Sequence, residues 1–281
     1  ARSPCWATCR RPRPLPGRLP HLPAPDSTPA WAPQDALPTP AHDGRQVDIV
    51  LSPHPDDETL SLGVWTADAA VRGDRVIVVC LTDGRTTGAL ATIARRLRRP
   101  VTRDEIAAAR IRELHAATAR LGVRPDDVYL AHLDRDDGPG GTRLTELEAL
   151  AVIKAFAARF PDATFATMSW AAERHPDHLG AAFALQEAVA RGIARHGVFA
   201  VSRLWWALPS PPVTIVLPLN AAVRHQVTAA ANAYGLWNPA DHRLAVGWTS
   251  VHQQFVDLLA DPRDRVHGWA PLTAGEQPPV S

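Results

Sequence analysis

A strand-to-helix corner that combines histidine with carboxylates occurs twice in this chain, and it limits which folds can carry the sequence. At the first corner, the short β-branched run Val47-Asp48-Ile49-Val50-Leu51 reads as a buried strand leading into Ser52-Pro53-His54-Pro55-Asp56-Asp57-Glu58. Thr59 to Val71 then reads as a helix that offers Leu60, Leu62 and Val64 to a core. Pro55 is expected at the first helical position, where its missing N–H costs nothing. At the second corner, Ala163 to Trp170 reads as the strand, and Pro176 opens a helix out of His175-Pro176-Asp177-His178. Open α/β sheets bind their ligands at the carboxyl ends of strands, where both corners fall.

His54 and Asp57, three residues apart, can reach one metal from a single helical turn, with Asp56 beside them as a second carboxylate. A plainer reading is that Asp56, Asp57 and Glu58 favour a helix N-terminus electrostatically, worth roughly 0.3–1 kcal/mol each. The second histidine–carboxylate corner weighs against it, and the two corners together predict a zinc site.

The rest of the chain alternates strands and helices from Gln46 onward. Arg75 to Leu81 is the second strand, closing in the turn Thr82-Asp83-Gly84. Thr102 to Leu121 reads as a long helix capped by Thr102 or Asp104, and Asp127 to Leu133 as the third strand. An acidic, glycine-rich loop follows from Asp134 to Gly141, and Leu147, Leu150, Ile153, Phe156 and Phe160 form a core stripe at helical spacing. Val198 to Leu208 and Thr214 to Leu219 read as further strands, with helices near Asn220 to Tyr234 and Val251 to Leu259. This alternation predicts an α/β fold with a mostly parallel sheet and helices on both faces. Residues 1–44, rich in Pro and Arg, are expected to form an extended arm; residues 45–270 a single domain; and residues 271–281 an unstructured tail.

Composition narrows the partners. A net charge of +1 gives no electrostatic case for nucleic acid or an acidic membrane surface. No apolar stretch approaches the ~20 residues of a membrane span, and the basic N-terminus lacks an apolar signal core, so a cytoplasmic location is expected. Cys5, Cys9 and Cys80 cannot build a disulfide framework, and Cys80 reads as a core residue. No glycine-rich dinucleotide fingerprint or P-loop follows the first strand.

At the two corners the sequence resembles the zinc-dependent N-acetylglucosaminyl deacetylases, the PIG-L/LmbE-like family. The resemblance runs from His54-Pro55-Asp56-Asp57-Glu58 through Thr82-Asp83-Gly84, Arg110-Ile111-Arg112-Glu113-Leu114 and Leu121-Gly122-Val123 to His175-Pro176-Asp177-His178. It covers roughly residues 46–190 and implies a Rossmann-like sheet, with a variable C-terminal part capping the site. Carried over by motif, it implies His54, Asp57 and His178 as Zn2+ ligands. Three protein ligands leave a position for water, which such a metal acidifies toward a pKa of ~7. It further implies Asp56 as general base and His175 as the group that stabilises the oxyanion and protonates the leaving amine. Glu58 and Asp177 are expected to orient these groups by hydrogen bonds.

Three further residues carry open readings. Arg110 matches a substrate-contacting position, and an i,i+3 pair with Glu113 accounts for it equally. Asp136 is expected near a sugar hydroxyl, and Asp83 serves a turn as readily as a site. The resemblance implies hydrolysis of the N-acyl group of a GlcNAc-type sugar, releasing a carboxylic acid and a free amine. Trp205, Trp206, Trp237 and Trp248 are core residues by default; as a wall of the site they would suit a large aglycone. The sequence is in this respect similar to the deacetylases that act on teicoplanin-type glycopeptide-antibiotic pseudoaglycones. The alternatives are a small GlcNAc conjugate, a metal-dependent esterase or phosphoesterase, and a non-catalytic carbohydrate-binding module. The substrate partner is therefore a small molecule or a glycopeptide, and the oligomeric state stays open.

Overall fold

The computed structural model describes residues 44–133, 144–208 and 214–269. The expected arm, the loop that includes Asp136 and the C-terminal tail lie outside the described residues. Five strands run parallel: β1 (Val47–Ser52), β2 (Arg75–Cys80), β3 (Val128–Leu130), β4 (Thr164–Met168) and β5 (His196–Ala200). Two more, β6 (Thr214–Val216) and β9 (Asp264–Trp269), extend the sheet antiparallel, giving the order β3-β2-β1-β4-β5-β9-β6. A separate hairpin pairs β7 (Trp237–Asn238) with β8 (Arg243–Leu244).

Side chains alternate across the sheet with period two and build a core on each face. Ile49, Leu51, Ile77, Val79 and Phe165 face α5 (Glu146–Arg159) and α6 (Pro176–Ala190). Val50, Val78 and Ala166 face the other way, toward α2 (Gly63–Arg72), α4 (Arg103–Arg120), α7 (Ala221–Tyr234) and α9 (His252–Ala260). The expected α/β architecture with helices on both faces is what the chain adopts.

Several elements depart from the expectation. The helix after the first corner breaks into α1 (Asp57–Leu60) and α2, and Pro55 stands in the turn before α1 instead of at its first position. Asp56, whose φ of 144° no helix accommodates, keeps Pro55 out of the helix; the break itself falls at Ser61 and Leu62. The strand read over Val198 to Leu208 ends at Ala200. Arg203 pulls the next turn out of the sheet by donating to the carbonyls of Leu60 and Asp261. The helix α3 (Leu90–Leu97) and the strand β9 have no counterpart in the sequence reading. β9 carries one aliphatic side chain, Val266, and is recruited by its ladder with β5. The second corner forms as expected: His175 is the N-cap of α6 and Pro176 its first residue. Thr102 caps α4 in a reciprocal pair with Glu105.

Strand order explains why two distant segments share a site. The chain runs outward from β1 through β2 to β3, then returns to the other side of β1 with β4 and β5. The direction reverses between β1 and β4, which pair at Asp48↔Thr164, Ile49↔Phe165 and Val50↔Ala166. The two corners leave the carboxyl ends of these adjacent strands, and that reversal point is where such sheets open a ligand crevice.

Candidate active site

Three side chains from the two corners converge on one point. His54 Nδ1 lies 3.2 Å from Asp57 Oδ2, Asp57 Oδ2 lies 3.2 Å from His178 Nε2, and His178 Nε2 lies 3.2 Å from His54 Nδ1. Ligands held about 2.0–2.1 Å from a tetrahedral zinc stand roughly 3.3 Å apart, so the triangle has the size of one face of such a site. The other nitrogen of each imidazole is tied to a carboxylate. His54 Nε2 meets Asp177 Oδ2 at 3.0 Å, and His178 Nδ1 meets Glu173 Oε2 at 2.8 Å. Those contacts fix the tautomers that turn His54 Nδ1 and His178 Nε2 toward the shared point, as metal-bound histidines are commonly held.

The electrostatics suit a cation. Burial disfavours a charge on His178, yet Asp57 and Glu173 push its pKa up to about 10. Burial likewise opposes ionisation of Asp57, but His178 and His54 hold its carboxyl well below the usual range. The cluster therefore gathers positive charge, whether a proton or a metal ion.

Asp56 is held separately. Burial raises its carboxyl to about 6 against the pull of Arg110, whose Nη2 donates to Asp56 Oδ2 at 2.8 Å and to the Pro55 carbonyl. The positive φ of Asp56 costs of order 1–3 kcal/mol in a non-glycine residue and persists only where neighbours enforce it. Glu58 does so: its Oε2 accepts the Asp56 N–H at 3.0 Å, while its Oε1 accepts from Tyr234 OH at 2.8 Å and Thr59 Oγ1 at 2.6 Å. Gly84 (φ 65°) lets Arg110 approach, since a Cβ there would stand 2.6 Å from Arg110 Nε.

His175 stands beside His54 and His178, with ring centroids 4.7 and 4.9 Å away, its side chain 49% exposed. Its Nδ1 accepts the Asp177 N–H at 3.3 Å, which leaves Nε2 as the protonated nitrogen. Partial burial, with His54 and His178 nearby, lowers its pKa to about 4, so it is a neutral donor at neutral pH. His54, His175 and His178 also offer nitrogens within 4.8 Å of one another, a group able to hold a metal. The set with Asp57 is tighter, and one nitrogen of His175 is already spent as a helix cap.

These groups floor a cleft of about 550 Å³, whose walls come from the loop Thr86 to Gly88 and, from the C-terminal third, Leu204, Trp205, Val251 and Gln254. Of the weaker candidates, Arg110 reaches the cleft but spends its Nη2 on Asp56. The alternative partner Glu113 gives both its oxygens to the Val246 and Gly247 N–H groups, at 2.8 and 3.0 Å. Asp83 is buried beside the cleft, holding Arg85 in a two-pronged pair. Of the tryptophans, Trp205 lines the cleft; Trp206 lies between Arg203 and Arg265, and Trp248 stacks on Phe255.

Glu173 and Tyr234 escaped the sequence reading, and Glu113 entered it only as a partner for Arg110. Glu173 stands two residues before His175, a spacing with no metal-ligand signature. Tyr234 and Glu113 are brought in by helices distant in sequence.

The fold and the site together define an open α/β sheet with a candidate metal-and-carboxylate centre at its switch point. The profile of the family described as GlcNAc-PI de-N-acetylase (PIG-L) matches residues 49–189, and the chain belongs to that family. No curated protein matches the chain. Among solved structures it is similar to a deacetylase triple mutant involved in the teicoplanin biosynthetic pathway, with 19% identity and a TM-score of 0.57 over 80% of this chain and 98% of that one. It is similar to the 4-carboxy-2-hydroxymuconate hydratase of Pseudomonas putida, with 17% identity and a TM-score of 0.57 over 83% and 100%. It is also similar to N,N'-diacetylchitobiose deacetylase from Pyrococcus horikoshii, with 18% identity and a TM-score of 0.56 over 84% and 88%. Likeness at these identities shows the shared fold, and that fold serves a hydratase as well as deacetylases.

Proposed function

We propose that the chain is a zinc-dependent hydrolase that removes the N-acyl group from a GlcNAc-type amino sugar, with residues 45–270 acting as one catalytic unit. The observation that carries this reading is the 3.2 Å triangle of His54, Asp57 and His178, flanked by the Arg110-held carboxylate of Asp56 and by a neutral histidine. These three residues would hold the metal, which when bound supplies Lewis acidity toward a water and an amide carbonyl. Asp56, raised to about 6, takes the proton of the water that attacks the carbonyl carbon. His175 presents its Nε2–H to the oxygen on which charge develops. As the C–N bond breaks, the proton passes to the nitrogen, leaving a carboxylic acid and a free amine. Glu58 and Asp177 serve by holding Asp56 and His54 in place, and Arg110 keeps Asp56 aimed into the cleft.

The substrate proposed is a large conjugate such as a glycopeptide pseudoaglycone. A cleft of about 550 Å³ has room for a sugar and part of what it is attached to, within the roughly 300–1,000 Å³ of sites for drug-sized ligands. Trp205 and the exposed Leu204 give its mouth an apolar side. One neighbour in fold takes part in teicoplanin biosynthesis. The test compares release of free amine from a GlcNAc-bearing glycopeptide, from GlcNAc-inositol and from free GlcNAc with zinc present. Faster turnover of the glycopeptide is expected; preference for the small substrates would move the assignment to a small-conjugate deacetylase.

A further inference from the structure

We propose that Arg174, Trp205 and Leu204 form a subsite at the mouth of the cleft for a carboxylate borne on an apolar aglycone. The inference deepens the deacetylase reading and rests on it for the identity of the sugar, while the binding of the anion can be tested without turnover.

Every carboxylate that lines the cleft is already engaged. Asp56 holds Arg110, Asp57 meets His54 and His178, Glu173 meets His178, and Asp177 meets His54. Two cationic arginines line the same cleft. Arg110 is committed to Asp56. Arg174 has no carboxylate partner among the described residues; its guanidinium carbon stands 5.4 Å from the centroid of the Trp205 ring.

The arginine springs from a rigid point. Glu173 Oε1 accepts the N–H of Arg174 at 2.7 Å, that of His175 at 2.9 Å and the indole N–H of Trp205 at 2.9 Å. One oxygen thus fixes the backbone under the arginine, the neighbouring candidate acid and the ring beside it. Leu204, 59% exposed, adjoins Trp205 on the same wall. The loop Thr86 to Gly88 contributes only neutral groups to the cleft. A cation, a pinned aromatic ring and an exposed leucine on one wall, one residue from His175, match an apolar group that carries an acid. Guanidinium is suited to this because its planar fork pairs with carboxylate and its face rests on an aromatic ring.

The experiment measures binding of 4-carboxyphenyl N-acetyl-glucosaminide and of its neutral counterpart, 4-carbamoylphenyl N-acetyl-glucosaminide, to the zinc-loaded full chain by titration calorimetry. The quantity read is the ratio of the two dissociation constants. A partly exposed charge pair predicts about threefold to tenfold tighter binding of the acid by the wild type, declining as salt rises. The ratio falls to about one in Arg174→Gln, stays above one in Arg174→Lys, and inverts in Arg174→Glu. A merely structural role for Arg174 would weaken both ligands alike and leave the ratio intact. A ratio of one in the wild type, an unchanged ratio in Arg174→Gln, or binding of neither probe overturns the proposal. Amine release, followed on the same two probes, separates the two levels. Discrimination without hydrolysis would refute the deacetylase reading and leave the subsite standing, and hydrolysis without discrimination would do the reverse.

Discussion

Glu173 joins the second histidine corner to the cleft wall: one oxygen orients His178 and the other holds the Trp205 indole and two backbone N–H groups. Replacing such a partner typically lowers metal affinity about 10–100-fold. Glu173→Gln and Asp177→Asn are each expected to lose zinc affinity on that order, measured against a competing chelator; unchanged affinity would show that the carboxylates do not orient the ligands. Asp56→Asn should behave differently, retaining zinc and losing about 10²–10⁴ in kcat as a general base does. Loss of zinc from this variant would instead make Asp56 a ligand. At this scale the sequence was most informative where a motif is local. His54, Asp56, Asp57, His175, His178, Glu58 and Asp177 all lie in two short segments, and the structure brings all seven together. Glu173 and Tyr234 were not legible as site residues, and Trp205, offered with three other tryptophans as core or as a wall of the site, could not be singled out, because what these side chains do depends on which carboxylate, helix or turn stands opposite, and spacing along the chain does not encode that.

The two corners are elements as much as clusters, and their geometry depends on distant supports. Gly84 is one, admitting Arg110 to Asp56. Gly84→Ala places a Cβ 2.6 Å from Arg110 Nε at a φ of 65°, so kcat should drop while bound zinc is unchanged; full activity would show that Arg110 does not position Asp56. Asp264 is another, accepting the Trp65 N–H at 2.8 Å within the first turn of α2. Burial pushes its carboxyl from 3.8 up to about 7. In the fold it keeps its proton to higher pH than in the unfolded chain, so the stability it contributes is full below about pH 4 and is lost as pH rises through about 7. Asp264→Asn cannot titrate, so thermal melts of variant and wild type should draw together or cross in the variant's favour between those values. Parallel curves would contradict the shift. The strands of the parallel sheet were readable as apolar runs. β9 was not, because Asp264-Arg265-Val266-His267-Gly268-Trp269 gains its burial from its neighbours, with His267 against Phe199 and Trp170. The short helix α3, with Ile93 as its buried residue, was not read as an element.

For the whole molecule, strand order does what the sequence cannot state directly: it sets β1 beside β4 and so turns two distant corners into one site. The C-terminal third then supplies one wall of the cleft, through Leu204, Trp205, Val251 and Gln254. An ion bound by the folded chain alone stabilises it by about 2.7 kcal/mol at a hundredfold excess over Kd. Zinc should therefore raise the Tm of the wild type and leave that of His178→Ala unmoved. The most direct test of the division of labour among the three histidines is zinc content per chain by elemental analysis, with His175→Ala and His178→Ala purified and reconstituted side by side. The assignment predicts about one zinc in His175→Ala, as in the wild type, and almost none in His178→Ala. Zinc lost from His175→Ala, or kept by His178→Ala, would contradict it and make His175 a ligand instead of the neutral donor at the oxyanion.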